Sequence, residues 1–122
     1  MHAVCETKAF ERAASGAGMS RAEVDAFIGF LAANPDAGDE IQGSGGCRKI
    51  RVAGEGRGKS GGYRVVTFFT GEDLPIFLLT VFAKGEKANL SAAERNGLAK
   101  LTAILAADYG KKIMRGDRTS EG

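Results

Sequence analysis

Apolar and polar positions along the chain follow two different rhythms. In "SRAEVDAFIGFLAANP", Val24, Phe27, Ile28 and Leu31 recur at i, i+3, i+4 and i+7, the stripe of a helix that buries one side. Ser20 and Glu23 have the spacing of a capping box, and Asn34-Pro35 ends the segment. In "SAAERNGLAKLTAILAADYG" the logic repeats. Ser91 and Glu94 make the box, Leu98, Leu101, Leu105 and Tyr109 make the stripe, and Gly110 suits the C-terminus. Between these helices the rhythm changes to β-branched and aromatic runs bounded by Gly or Pro. Strands are predicted at Cys47–Ala53, Tyr63–Thr70 and Ile76–Ala83, with Thr70–Pro75 a tight turn between the last two. Ala3–Glu6 reads as an opening edge strand, and "NPDAGDEIQGSGG" as a polar, Gly-rich loop.

The order is therefore short strand, helix, three consecutive strands, helix. Short connections make the three strands an antiparallel meander. The expected fold class is α+β: a small antiparallel sheet, the meander plus the N-terminal edge strand, packed against helices. Both helices are available to cover one sheet face, leaving the other partly open. A chain of 122 residues fits one domain, placed at 1–112, with the polar 113–122 expected to be a disordered tail.

Composition narrows the class. With 43% hydrophobic and 26% charged residues, the chain reads as globular and soluble rather than disordered. Its longest apolar run, "LPIFLLTVFA", is only about ten residues, so no membrane association is expected. "MHAVCETKAF" lacks the basic start and apolar core of an export signal, which points to the cytoplasm. Cys5 and Cys47 stand without a C-x-x-C or a Cys/His cluster. They are read as reduced thiols, with neither a metal nor another cofactor expected. His2 is the one histidine and sits at the extreme N-terminus, which removes the usual general base.

"AGEGRGKSGG", Ala53–Gly62, matches the regular expression of a nucleotide-binding P-loop. That loop works by leading a strand into a helix whose N-terminus holds phosphates. Here it leads into "YRVVTFFT", a strand, so nucleotide binding is not expected. The charge is more informative. Arg48, Lys49, Arg51, Arg57, Lys59 and Arg64, against Glu55 alone, give Cys47–Arg64 a charge of +5, whereas the whole chain carries +2. Positive charge concentrated on an otherwise slightly acidic chain reads as a polyanion site. The bland reading is a solvated hairpin. Lys49 and Arg51 are two apart and share one strand face, and Arg64 opens the partner strand. Two cations are costly on a core face, so theirs should be the open one.

Three motifs occur together: G-G-x-R-K-x-R from Gly45, G-x-G-K-x-G-G-x-R from Gly56, and F-A-K-x-E-K-x-x-L-S from Phe82. In this combination the chain, from roughly Ile41 to Tyr109, resembles the RelE-like toxins of type II toxin–antitoxin pairs, in particular the HigB-type branch. The resemblance implies a ribosome-dependent endoribonuclease that cleaves translated mRNA in the 30S A site, inhibits translation and growth, and is silenced by a cognate antitoxin. Related folds instead poison DNA gyrase in the manner of ParE, and a plain RNA-binding module is a further alternative. Carried over position by position, the catalytic set is Lys49, Arg51, Arg64 and Lys84. Arg48, Arg57, Lys59, Tyr63 and Lys87 are the RNA-binding candidates. The sequence departs from the best-studied members at Gly85, where they have arginine, and at Ser91, where they have tyrosine.

The implied chemistry needs no metal. A 2′-hydroxyl attacks the adjacent phosphate and expels the 5′-oxygen, leaving a cyclic phosphate. Arginine forks suit the charge that develops on phosphorus oxygens. Without a usable histidine, the base falls to Lys49 or Lys84, with Glu86 as the alternative. Tyr63 is the aromatic considered for stacking on a base, whereas Phe68, Phe69, Phe77 and Phe82 read as core.

Overall fold

The computed structural model describes residues 3–53, 62–71, 74–83 and 90–115, with the side chains of the last helix described as far as Asp108. The chain runs β1 (Val4–Glu6), α1 (Lys8–Ala17), α2 (Arg21–Ala33), β2 (Asp39–Glu40), β3 (Cys47–Val52), β4 (Tyr63–Phe68), β5 (Ile76–Ala83) and α3 (Ala92–Arg115). The expected α+β class holds, and the meander is β3–β4–β5. The sheet is larger than expected and mixed. It has five strands in the order β1-β5-β4-β3-β2. β1 lies at one edge parallel to β5, with Cys5 opposite Phe77, and the short β2 lies at the other edge antiparallel to β3.

Two elements escape the stripe-and-run reading. Helix α1 buries Phe10 and Ala14, with Ala13 and Ala17 partly covered beside them. Its buried side is Phe10 with small alanines, set against Lys8, Glu11, Arg12 and Ser15 on the other side. Its ends are well marked. Thr7 Oγ1 accepts from the Phe10 amide at 3.1 Å and donates to the Leu78 carbonyl at 2.8 Å, tying the helix start to β5. Gly18 ends it at φ 83°, a left-handed conformation that favours glycine. The other element is β2, two residues inside the polar loop.

Both predicted capping boxes form. The Ser20 amide donates to Glu23 Oε1 at 2.8 Å and the Ser91 amide to Glu94 Oε1 at 2.8 Å, each with the reciprocal bond to the serine hydroxyl. α3 continues past Gly110 to Arg115, beyond the expected domain end at 112, and residues 116–122 of the expected tail lie outside those described.

The helices do not share a sheet face, contrary to expectation. Helices α1 and α2 bury Phe10, Val24, Phe27 and Leu31 against Ile50, Val65, Ile76 and Leu78. On the other face α3 brings Leu98, Leu101 and Leu105 onto Cys47, Val66, Phe68 and Phe77. The reason is strand alternation: odd and even residues of β4 and β5 are both largely apolar, so each face needs a cover. A register shift between Val66 and Thr67 leaves Leu79 as an extra residue in β5, and it is buried on the α3 side. Gly45, at φ 80°, lets the β2–β3 loop lie against α3. A Cβ there would come within 3.0 Å of the Ala99 backbone.

Cys5, Phe77, Phe68 and Cys47 form one row across four strands. Two strands separate the thiols, so they stand roughly 14 Å apart at ordinary strand spacing. That is far beyond bridging distance, and both are free. Burial pushes the Cys47 thiol up to about 11. The Cys5 thiol is raised by burial and then by the neighbouring Glu6 carboxylate.

Candidate functional site

Period-two alternation in β3 sorts its cations. Arg48 shares a face with Ile50, on the side of α1 and α2, and donates from Nη1 to the Gly38 carbonyl at 2.9 Å. It stands on the other face of β3 from Lys49 and Arg51. Lys49 and Arg51 point to the opposite face. Register then adds Arg64, which lies directly opposite Arg51 on β4, while Lys49 lies opposite Val66. Three of the sequence-derived residues, Lys49, Arg51 and Arg64, therefore meet on one patch, at the end of the α3 face away from Phe77. Arg51 is exposed, and Lys49 and Arg64 are half-buried.

The reading of Tyr63 is corrected. It is 2% exposed and packs in the core beside Val65 and Ile50. Its hydroxyl lies 3.2 Å from the Gly18 carbonyl and 3.3 Å from Glu23 Oε1, so it ties β4 to the junction of α1 and α2. No ring face is left for a base. Arg57, Lys59, Lys84 and Lys87, with the alternative base Glu86, lie outside the described residues, as does most of the P-loop-like stretch.

The electrostatics of the patch are unusual. Like charges directly opposite across an antiparallel pair destabilise it, by about 0.2–1 kcal/mol. Arg51 and Arg64 are such a pair, and neither has an ion pair among the described residues. Arg64 Nη1 is moreover buried with no hydrogen-bond partner among the described residues. A buried donor of this kind costs about 1–3 kcal/mol. An anion between the two guanidinium groups would remove both penalties, and phosphate matches their fork geometry. By contrast Arg21, out on α2, is matched to Glu6 at 2.7 Å and Asp25 at 2.8 Å. The chain does pair arginines where they serve only the surface.

Lys49 also lines a cleft of about 690 Å³ between β2 and the start of α3, with Asp39, Gln42, Leu90, Arg95 and Asn96. Asp39 is the cross-strand partner of Lys49 and so shares its face. Sequence reasoning missed these residues. The available signal was the "DE" pair set in a glycine-rich loop just before a basic strand. Among the described residues no group of three His, Cys, Asp or Glu could hold a metal ion.

The family model for the RelE toxin of the RelE/RelB toxin–antitoxin system matches residues 2–120. The chain belongs to the RelE toxin family. It is thus a toxin of a toxin–antitoxin system, and the partner implied is a cognate antitoxin. The match extends beyond the motif-bearing region to the α1–α2 half of the fold. No helix among the described residues is long and apolar enough to cross a membrane.

Proposed function

We propose that this RelE-family toxin is a metal-independent endoribonuclease that cuts translated mRNA on the ribosome, within the cytoplasm, and is held silent by its antitoxin. The observation that carries the reading is the in-register Arg51–Arg64 pair, whose Arg64 Nη1 has no partner among the described residues, flanked by Lys49. Two opposed arginines with no ion pair among the described residues call for an anionic partner. A scissile phosphate gains most from them, because its negative charge grows as the reaction proceeds.

In this reading Arg51 and Arg64 hold the non-bridging oxygens. The 2′-oxygen bonds to phosphorus as the bond to the 5′-oxygen breaks. The products are a 2′,3′-cyclic phosphate and a 5′-hydroxyl. Lys49, beside the pair on β3, is placed to move one of the two protons, and Lys84, following β5, is the candidate for the other. The departures at Gly85 and Ser91 leave these lysines as the proton carriers.

Among the described residues the patch is a floor on the sheet. It would bind free RNA in many registers, few of them with the attacking oxygen in line. A ribosome that holds the messenger rigidly supplies that orientation, which accounts for a large part of such barriers. The expected result is strong cleavage of a defined transcript on programmed ribosomes and little cleavage of the same RNA alone, read by primer extension. Equal cutting in both reactions overturns ribosome dependence. Cutting in neither, together with inhibited gyrase supercoiling, overturns the nuclease reading.

A further inference from the structure

The outer edge of β3 is only partly covered. β2 pairs with Arg48 and Lys49 and stops, whereas β3 runs on to Val52. The Ile41 amide donates to the Cys47 carbonyl at 2.9 Å, so Cys47 turns its backbone groups toward β2. Alternate residues of an antiparallel strand do the same, which aims the N–H and C=O of Arg51 at that edge too. No strand pairs with them among the described residues. Beside this edge lies a groove of about 290 Å³, walled by Phe27 and Phe30 of α2 and by Ile50 and Val52 of β3. Phe30 stacks on the buried Phe27 ring with centroids 6.5 Å apart, yet it stays 48% exposed. Arg51 lines the same groove, is exposed, and has no ion pair among the described residues.

We propose that this edge takes up an extended segment of a partner protein in which an acidic residue is flanked by apolar ones. The surface goes beyond the nuclease reading, and binding at it does not depend on that reading. An uncovered strand edge is a template for a further strand. Main-chain bonds give such a complex its affinity, and side-chain pockets give it specificity. Sheet geometry dictates the pattern of the segment. The added residue opposite Arg51 shares its face, so a carboxylate there meets the guanidinium. The two neighbours of that residue project to the other face, where Ile50 and Val52 meet Phe27 and Phe30 in the groove. A helix, about 10–12 Å across with its side chains, is too wide for the groove and leaves the backbone groups of Arg51 unpaired. RNA suits it less, because the Glu23 carboxylate in the lining repels phosphate. An occupied edge sets a carboxylate on Arg51 and so competes with phosphate for it.

The probe is the end-blocked peptide Ser-Leu-Val-Glu-Val-Leu-Ser, titrated into the isotopically labelled full chain. Saturable shifts are expected at the amides of Arg51, Val52, Phe27 and Phe30, with slowed hydrogen exchange at the Arg51 amide. A peptide with lysine in place of the glutamate sets like charges opposite and should bind about tenfold more weakly or worse. Phe30→Asp, a change at a half-exposed position, should weaken the glutamate peptide by about tenfold through loss of an aromatic anchor. On programmed ribosomes the saturating glutamate peptide should slow cleavage by the parent chain, and the lysine peptide should not. Absence of saturable shifts at these amides overturns the surface. So does equal affinity for the two peptides, or parental affinity in Phe30→Asp. A single-stranded oligouridine that shifts the same amides at lower concentration than the peptide hands the groove to RNA and overturns the proposal as well. Peptide binding by a chain that cuts no RNA supports the surface and refutes the nuclease reading alone.

Discussion

The two faces of the central sheet are built from the same strands yet answer to different demands. Toward α1 and α2, Ile50, Val65 and Leu78 meet Phe10, Phe27 and Leu31 in a closed apolar layer. Toward α3, the layer is apolar at Cys47, Val66, Phe68 and Phe77 and along β5 as far as Phe82. Further along the same strands it turns into Lys49, Arg51 and Arg64. One face minimises free energy. The other holds two opposed arginines and a buried donor with no partner among the described residues, each of which costs stability. Such a cost persists where the ligand that relieves it is the function. The difference also shows in the arginines themselves: Arg21 has two carboxylate partners, and Arg51 and Arg64 have none among the described residues.

The contrast can be broken most severely on the closed face. Phe10→Ala removes a ring that is 1% exposed and should cost about 3–5 kcal/mol. Urea denaturation would show it as a lowered midpoint with the slope retained. A loss below about 1 kcal/mol would mean that α1 does not seal that layer. A milder probe is Tyr63→Phe, which removes a hydroxyl near Gly18 and Glu23 and should cost about 1 kcal/mol. Cleavage by this variant should match the parent, because the ring is buried away from the floor. A large drop in cleavage at unchanged stability would give the Tyr63 hydroxyl a part in the reaction that its buried position does not suggest.

The smallest expected effect concerns Cys47. Its folded-state value, raised to about 11, means that the folded chain holds the thiol proton more tightly than the unfolded chain does. The stabilisation from keeping it neutral is complete below the unfolded thiol's range. It fades as pH climbs from about 9 toward 11. Stability should therefore fall more steeply across that window in the parent than in Cys47→Ala. At pH 8, iodoacetamide should modify half-buried Cys5 well before Cys47. Equal rates would mean that the α3 face opens readily at its apolar end.

The closed face and its helices were legible wherever large side chains marked the period. Val24, Phe27 and Leu31, with the Ser20–Glu23 box, placed α2, and the Ser91–Glu94 box placed the start of α3. The α1 stripe was overlooked, because Phe10 is its one large apolar residue and Ala13, Ala14 and Ala17 complete it with small ones. Nor was the parallel edge pairing of β1, since direction is set by a long crossover rather than by anything in "VCE". For the site, i, i+2 spacing correctly put Lys49 and Arg51 together. It said nothing of Arg64's register, which the strand pairing alone decides. The same spacing rule assigns Arg48 to the other face, but the basic run obscured it. Tyr63 was misread because an aromatic at a strand start looks exposed until the α1–α2 junction closes over it. Asp39 and Asn96 come together only through the contact of a loop with a helix more than fifty residues away.

The central claim is that the arginine floor serves RNA chemistry at the expense of stability, and Arg64→Met tests it most directly. Methionine fills similar space without the buried, unpartnered Nη1 and without the charge opposed to Arg51. The measurement is the single-turnover cleavage rate on programmed ribosomes, with stability of the same sample from urea denaturation. The account predicts a rate lower by about 10²–10³, in a chain more stable than the parent by roughly 1 kcal/mol. A variant that cuts within a few-fold of the parent, or that loses activity only because it unfolds, would contradict it.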